Sequence, residues 1–490
     1  GSSSSSARAA WQTAASAAPF LSLAKYSQSM VASAVPSHKA MLGGLPNAWG
    51  LMRLCAGMTL LMTAYQEVQN AAPQNIKEVG LQNFGFYALA MFYTAMLFGT
   101  QVAPQIMDWL GGRNSLPTAS VGFILFIGAL LVVSRIPSEV VESSSVTVVV
   151  VVLLVTTLSG LLAGLLWPSQ GYVLTHYAPQ HLLNWYMSFF SLCIFTSGFL
   201  GPALVASVLR LTGQNSVAVP LTLLLLGFIG LLLLCRLPPP DQVSEVPDTP
   251  SEVPDTPGTS NVKRARASSA LHLLTESSAR RLGFVALAEG WCLNAFVSAM
   301  LPIIASSWTS TSSHLFHEHF QLLLMLNGLG HILASLLYAP IADRCGRRFV
   351  LILQASMCLV AALLAELDLI LGLDGFDLLD VAPLDLSAAF FIGFSIILAR
   401  INNQAICANL YRERAGSAFA MLAALRGLAS IGGVLLMPAI SGSWSREIVA
   451  ASLGWLFVSS IVAAFHSPLF KVAEVAGEKE ESSAEETEGV

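Results

Sequence analysis

Charged residues are scarce in this chain. Only 11% of its 490 residues are Asp, Glu, Lys or Arg, whereas 54% are hydrophobic. The mean hydropathy is +0.67. A water-soluble protein of this length covers its surface with charged side chains, so the composition excludes an ordinary soluble protein. Most of the chain is therefore expected to lie in a lipid bilayer, which is its first expected partner.

Motifs of enzyme chemistry are also absent from the sequence. It contains no glycine-rich phosphate-binding loop, no nucleophile elbow and no metalloprotease helix. The seven cysteines include no Cys-x-x-Cys pair and are typical of small apolar filler residues. His314, His317 and His319 could bind a metal, but we interpret this short cluster as a hydrated loop. We expect no enzyme activity, no cofactor, no metal and no nucleic-acid partner.

Long hydrophobic runs dominate the sequence instead. Runs of roughly 20 apolar residues predict membrane-spanning helices. The run Val146–Trp167 carries no charge at all, which is typical of a span rather than of a core helix. Twelve spans are predicted, at residues 50–72, 84–107, 117–135, 146–168, 184–210, 217–236, 282–306, 320–341, 348–372, 384–409, 415–440 and 448–466.

Two similar turns, which we call the signature turns, indicate an internal duplication. Asp108–Arg113 follows the second predicted span, and Asp343–Arg348 follows the second span of the later set, about 235 residues further on. Both have an acidic residue, then glycine, then arginine. Such repeats are typical of duplicated transporter folds. We predict an all-α polytopic membrane protein with twelve transmembrane helices in two pseudo-symmetric six-helix bundles.

Charge and composition outside the spans predict the domain organisation. Lys and Arg concentrate in the loops on one side, so both termini and the central loop are expected in the cytosol. Which membrane holds the protein stays open, with the plasma membrane or an endomembrane favoured over an organelle envelope. We expect a disordered extension at 1–48, a six-helix bundle at 49–236, a disordered linker at 237–281, a second bundle at 282–467 and an acidic disordered tail at 468–490.

The N-terminal extension has a second interpretation. It is rich in Ser and contains no Asp or Glu, since the first acidic residue of the chain is Glu67. This composition also fits an organelle transit segment, which would be cleaved. The disordered cytosolic extension is the preferred interpretation.

The second signature turn resembles the signature loop of the major facilitator superfamily. Glycine permits the tight turn, and arginines hold it on the cytosolic face. The resemblance implies that the carboxylates latch one state of an alternating-access cycle by meeting a helix N-terminus in the opposite half. The first copy lacks the second arginine, and a purely structural turn is the alternative. The residues concerned are Asp108, Arg113, Asp343, Arg344, Gly346, Arg347 and Arg348.

Shorter motifs resemble the uncoordinated-ninety-three-like branch of that superfamily. They lie at the end of the first span, at the end of the fourth span and in the tenth span. The resemblance implies a role in potassium-channel regulation, ion homeostasis or the escort of receptors, and so a second membrane protein as partner. The residues that carry it are Tyr65, Gln66, Gln69, Asn70, Trp167, Gly171, Tyr172, Asn403, Asn409 and Tyr411.

Ionisable residues within predicted spans are the candidates for function, because a charge in a bilayer is costly and usually faces a cavity or a partner. They are Glu67, Glu289, His331, Arg400 and Arg426. The superfamily fold implies that spans one, four, seven and ten line a central cavity. The predicted substrate or coupling residues are Glu67, Gln170, Glu289, Arg400, Gln404 and Arg426.

Depth in the membrane predicts which of these charges meet. Glu289 and Arg400 lie roughly 11 and 14 Å from the same side at 1.5 Å per residue, so they could pair. Arg426 is an alternative partner for Glu289, or a group that attracts an anion. The pair could belong to a transport site, or it could lock two helices without touching a substrate.

Two functions therefore stay open at this point. The first is a secondary transporter of a small solute or ion that works by alternating access. The second is a non-transporting regulator or escort of a channel or receptor. Unpaired charges around a wet central cavity would favour the transporter, and a sealed interior with paired charges would favour the regulator.

Overall fold

The computed structural model describes residues 47–78, 84–133, 138–212, 218–239, 270–295, 313–371, 383–436 and 445–465. These residues are helical apart from short turns, as the long apolar runs predict. The histidine cluster at His314–His319 lies outside the side chains that are described, as do the N-terminal extension, most of the linker and the acidic tail.

The earlier half of the chain forms a series of eight described α-helices. A 3-10 turn at Gln180–Leu182 separates the fourth and fifth predicted spans. The α-helices are α1 (Ala48–Glu78), α2 (Phe84–Leu110), α3 (Gly112–Val133), α4 (Ser138–Ala163), α5 (Leu166–Tyr177), α6 (Leu183–Phe195), α7 (Ser197–Leu211) and α8 (Ala218–Cys235).

The later half contains fewer and longer helices. Short 3-10 turns, Ala270–Thr275 and Arg412–Arg414, precede the first and the fourth of them. The α-helices are α9 (Ser277–Ala295), α10 (Ser313–Leu371), α11 (Pro383–Leu410), α12 (Ala415–Leu436) and α13 (Ser445–Ala464). Helix α10 contains both the eighth and the ninth predicted spans, which meet at a sharp bend at Gly346.

Membrane-spanning character is clear in much of this helical chain. Within the described ranges, eight stretches are long and apolar enough to cross a membrane. An all-helical membrane protein is therefore confirmed, whereas the arrangement of twelve spans in two bundles stays a prediction.

The fourth predicted span is two helices rather than one. Helix α4 ends at Ala163 and α5 begins at Leu166. Pro168 has no N–H to donate to the carbonyl of Gly164, so the regular hydrogen-bond ladder is interrupted there. Gly164 also lies against α2, where an added Cβ would come within 2.7 Å of the Cα of Gly99. The break therefore permits a close approach between two helix backbones.

Helices of the two halves pack directly on one another. Helix α2 contacts α12, and α6 and α7 contact α10. Gly328 of α10 meets Gly198 of α7 so closely that an added Cβ would lie 2.7 Å from the carbonyl carbon of Gly198. Small residues at such crossings allow close van der Waals packing where lipid removes the hydrophobic driving force. The candidate functional site lies next to these contacts.

Candidate functional site

A charged triad lies in the later half of the molecule. Glu289 of α9 is fully buried, with 0% of its surface exposed. Its Oε1 lies 2.7 Å from Nε of Arg400 on α11, and its Oε2 accepts a hydrogen bond of 2.9 Å from Nε of Arg426 on α12. The first contact has the distance of an ion pair without hydrogen-bond alignment. One carboxylate therefore holds three helices together through two arginines.

The guanidinium of Arg400 reaches from this triad to the earlier half of the chain. It lies 5.4 Å from the ring centroid of Trp167 on α5 and 5.4 Å from that of Phe195 on α6. Cations over aromatic faces at this separation are attracted by the ring quadrupole, more strongly where water is excluded. Arg400 thus joins the two halves at the centre of the molecule.

A cavity of about 140 Å³ opens beside the triad. Nine of the described helices contribute residues to it, and they come from both halves. From the earlier half, Met62, Tyr65, Gln66, Glu67, Gln69, Tyr93, Met96, Phe123, Trp167, Gly198 and Pro202 line it. From the later half, Leu293, Leu324, Asn327, His331, Arg400, Ala423, Arg426, Gly427 and Ser430 line it. Eight of these twenty residues are polar or charged and the rest are apolar, aromatic or glycine. Small-molecule sites likewise combine apolar walls with polar groups that orient the ligand.

Glu67 lines this cavity from α1. Only 5% of its surface is exposed, and within the described ranges its carboxylate has no hydrogen-bond or ion-pair partner. An added Cβ at Gly201 of α7 would lie 2.6 Å from its Oε1. The glycine therefore leaves room for a carboxylate that has no counter-charge within hydrogen-bond or ion-pair distance in the described ranges.

His331 of α10 also reaches the cavity without a polar partner. It is 7% exposed, and neither of its ring nitrogens makes a hydrogen bond with the residues that the structure describes. Its ring packs edge-on against Phe195, with 5.6 Å between centroids. A buried imidazole without a partner is unusual, because buried polar groups are ordinarily hydrogen-bonded.

The motif residues of α1 form the cavity wall opposite the triad. Tyr65 packs against the ring of Phe123, with 4.6 Å between centroids. Gln66 accepts a hydrogen bond of 2.9 Å from Ser197 on α7. Gln69 donates one of 2.7 Å to the hydroxyl of Tyr93 on α2. The side chain of Asn70 is outside the described part of the chain.

The motif residues of α5 and α11 lie nearer the signature turns. Gly171 packs under the ring of Phe419, and Tyr172 stacks on His176 with 3.9 Å between centroids. Asn403 donates a hydrogen bond of 3.2 Å to the carbonyl of Leu282. The remaining two, Asn409 and Tyr411, are half-buried and buried respectively at the end of α11.

Three predicted site residues, Glu289 of the triad, Gln170 and Gln404, are not part of the cavity wall. Gln170 is fully buried, and neither polar atom of its side chain has a partner among the described residues. Gln404 is also buried, one helical turn beyond Arg400. Spacing of four residues placed Arg400 and Gln404 on one helical face, but the cavity ends before the second of them.

The second signature turn makes contacts across the molecule. Gly346 has φ of 80°, which an L side chain rarely adopts. Asp343 accepts a hydrogen bond of 2.7 Å from the side-chain amide of Asn184, in the first turn of α6. Arg347 donates one of 2.9 Å to the oxygen of the same amide. A carboxylate near a helix N-terminus is also favoured by the helix dipole.

The first signature turn has the same backbone and fewer contacts. Gly111 also has φ of 80°. Asp108 is exposed and makes no hydrogen bond or ion pair with the described residues, whereas Arg113 reaches the carbonyl of Leu237 at 3.4 Å. Arg348 of the second turn lies over the ring of Phe465, with 5.1 Å to the centroid.

Sequence comparison agrees with this architecture. A family model described as Major Facilitator Superfamily matches residues 54–306, a little over half of the chain. The chain belongs to the major facilitator superfamily. Comparison with curated proteins found no match. This facilitator-superfamily protein is therefore a multi-pass membrane protein, and the superfamily consists in general of transporters rather than enzymes.

Some residues of this facilitator-superfamily site were not predicted from sequence. Asn184 was missed because its partner is on a different helix and 159 residues away. Asn327 could have been found, since it interrupts an apolar run and lies on the cavity wall. His331 was noted as an intramembrane histidine but was not chosen as a site residue. Glu289 was expected to pair with one arginine, and it contacts both.

Proposed function

We propose that the protein is a secondary transporter that carries a small solute through its central cavity by alternating access. In this proposal, two six-helix bundles, twelve spans in all, rock about the cavity. The observation that supports it most is the cavity of about 140 Å³, lined from both halves and including Glu67, Arg400 and Arg426. A purely structural interior would need no such space between charged groups.

The charges around the cavity support a site for a polar solute. Glu289 has one negative charge and contacts two arginines, so the triad keeps a surplus positive charge. The Nη2 atom of Arg426 is buried and has no hydrogen-bond partner within the described ranges. A buried charge without full compensation is costly unless a ligand completes its contacts. The triad is therefore proposed as the substrate or coupling site rather than as a lock alone.

Contacts near the signature turns support a gate. Asn184 joins Asp343 and Arg347, and Arg412 donates a hydrogen bond of 3.3 Å to the carbonyl of Ala178. These contacts link the earlier and later halves on one face of the bundle, which we call the turn face. We infer that the turn face is cytosolic and closed here. Alternating access requires these contacts to break when that face opens.

A regulator or escort of another membrane protein is the second candidate. The observation that favours it is the full pairing of Glu289, since a carboxylate with two arginine partners can hold α9, α11 and α12 in one arrangement. Such a rigid interior would suit a protein that presents a surface to a channel or receptor. The uncoordinated-ninety-three-like motifs support the same role.

Reconstitution separates the two candidates. The purified protein would be placed in liposomes, and flux would be measured for potassium, sodium and a panel of organic acids, amines and amino acids. The transporter proposal expects flux of at least one solute above that of empty liposomes. Absence of flux for the whole panel, together with a membrane protein that co-purifies in stable proportion, would reject it in favour of the regulator.

The substitution Arg400→Gln tests whether the triad takes part in transport. The substitution leaves the Glu289–Arg426 pair electrically balanced, so we expect the folded yield to stay within about twofold of wild type. Flux should fall about tenfold or more, the loss that follows from one charge-assisted contact. Arg280→Gln, at an exposed position of α9, is the control and should leave flux unchanged. An equal loss of flux and of folded protein would reject a functional role for Arg400.

A further inference from the structure

The cavity has opposite charges along one side of helices α6 and α7. Arg400 lies against Phe195, His331 packs beside Gly198, and Glu67 fits against Gly201. These three contact positions follow one another at intervals of three residues, from the end of α6 into the first turns of α7. Arg400 and Glu67 therefore contact this segment at positions six residues apart.

Each end of this series has a group that the protein leaves without a partner. At the cationic end, Nη2 of Arg426 is buried and makes no hydrogen bond with described residues, while Arg400 lines the same space. At the acidic end, the carboxylate of Glu67 is 5% exposed and has no partner in the described ranges. Between them, both ring nitrogens of His331 are likewise without partners. The free groups converge on one small volume.

Charge balance limits what this volume can hold. The two arginines are matched in number by Glu289 and Glu67, so the site is neutral overall when all four are ionised. A ligand with a single charge would leave one end uncompensated in a low-dielectric interior, which is costly. A ligand with both charges compensates both ends and adds no net charge.

The size of the cavity limits the size of such a ligand. A volume of about 140 Å³ is close to the ~150 Å³ of an engineered protein cavity that holds benzene. The ligand is therefore a molecule of a few carbon atoms.

We propose that the cavity binds a small zwitterion of the amino-acid class, with its carboxylate on Arg400 and Arg426 and its ammonium on Glu67. This assignment rests on the proposed transport function for its biological meaning, but the binding itself is independent of transport. His331 donates or accepts a hydrogen bond along the middle of the ligand, which accounts for its lack of a hydrogen-bond partner among the described residues.

Four three-carbon probes test the assignment on the purified wild-type protein. They are L-alanine and β-alanine, which carry both charges, propionate, which carries only the carboxylate, and propylamine, which carries only the ammonium. Binding is measured by titration calorimetry, with thermal stabilisation as a second readout. At least one zwitterion should bind about tenfold more tightly than either single-charge probe, because each charged end contributes its own hydrogen bonds.

The substitution Glu67→Gln tests whether Glu67 binds the ammonium group of the ligand. This variant should lose the preference for the zwitterion over propionate while it still binds propionate, because only the acidic partner is changed. Glu413→Gln, an exposed carboxylate near the turn face, is the matched control and should keep the wild-type preference. A Glu67→Gln variant that keeps the full preference would overturn the assignment of the ammonium to Glu67.

The wild-type panel remains decisive if that variant fails to fold. Propionate or propylamine binding as tightly as the zwitterions, or no binding of any probe, would overturn the proposed ligand class. Selective binding of a zwitterion without uptake into liposomes would support the ligand class and reject transport. Uptake of other solutes without zwitterion binding would support transport and reject the proposed ligand class.

Discussion

The two signature turns share one glycine conformation and differ in their contacts. Gly111 and Gly346 both have φ of 80°. Asp343 of the second turn is held by Asn184 of the opposite half, whereas Asp108 of the first turn has no partner among the described residues. The glycine conformation is thus the same in both turns, but among the described residues only the second aspartate contacts the opposite half.

The interior shows a similar difference between the halves. The later half contributes Glu289, Arg400 and Arg426, which are paired with one another. The earlier half contributes aromatic rings, amides and the unpartnered carboxylate of Glu67. The later half therefore has a fixed charge arrangement, and the earlier half has the group that is free to meet a ligand.

The largest expected effect concerns the charge arrangement of the later half. Glu289→Gln would leave Arg400 and Arg426 facing each other without a counter-charge. Removing one partner of a buried ion pair typically costs about 3–5 kcal/mol, so we expect a severe loss of folded protein. Thermal melting of the purified protein in detergent measures it.

Glu67→Gln is the matched substitution in the earlier half. It removes no ion pair of the described structure, so its melting temperature should stay close to that of wild type. Similar melting temperatures for Glu289→Gln and Glu67→Gln would show that the paired charge of the later half stabilises the fold no more than the unpaired charge of the earlier half.

A medium effect is expected where the two turns are alike. Alanine at Gly111 or at Gly346 must adopt a left-handed backbone, which costs roughly 1–2 kcal/mol for an L side chain. No atom would lie within 4 Å of the added Cβ at either position, so the backbone alone sets the cost. Melting temperatures of the two variants should fall by similar amounts, and clearly unequal losses would contradict a shared turn geometry.

The smallest effect is expected where the turns differ. Asp343→Ala removes the contact with Asn184, and because Asp343 is exposed we expect only about 0.5–1 kcal/mol. Asp108→Ala should have no measurable effect. A double-mutant cycle with Asn184→Ala measures the coupling energy at each turn. Equal coupling of Asn184 to both aspartates would remove the distinction between the two turns.

The sequence predicts the broad class of the fold well. The hydrophobic excess and the long apolar runs predict a helical membrane protein, and the repeated acidic-glycine-basic pattern predicts two equivalent turns. The positive φ at Gly111 and Gly346 follows from the residue type, because glycine has no Cβ to clash. These features depend on local sequence, which is why they can be predicted.

The candidate site was only partly predictable, because it depends on how each helix is rotated about its axis. Depth along the helices indicated that Glu289 and Arg400 could meet. It could not show that Arg426 would approach the second oxygen of the same carboxylate. The same limitation explains why Gln170 and Gln404 were expected to line the cavity and do not.

Access to the cavity from both sides of the membrane is the central claim, and one residue on its wall tests it directly. Gly427 lines the cavity, and an added Cβ there would have its nearest neighbour at 3.5 Å, so cysteine should fit. The variant Gly427→Cys would be made with the three native cysteines that are not fully buried, Cys193, Cys235 and Cys345, replaced by serine. Sealed vesicles of each orientation would then be treated with a small membrane-impermeant thiol reagent. Alternating access predicts that Cys at position 427 is modified from both sides, and modification from one side alone would contradict it.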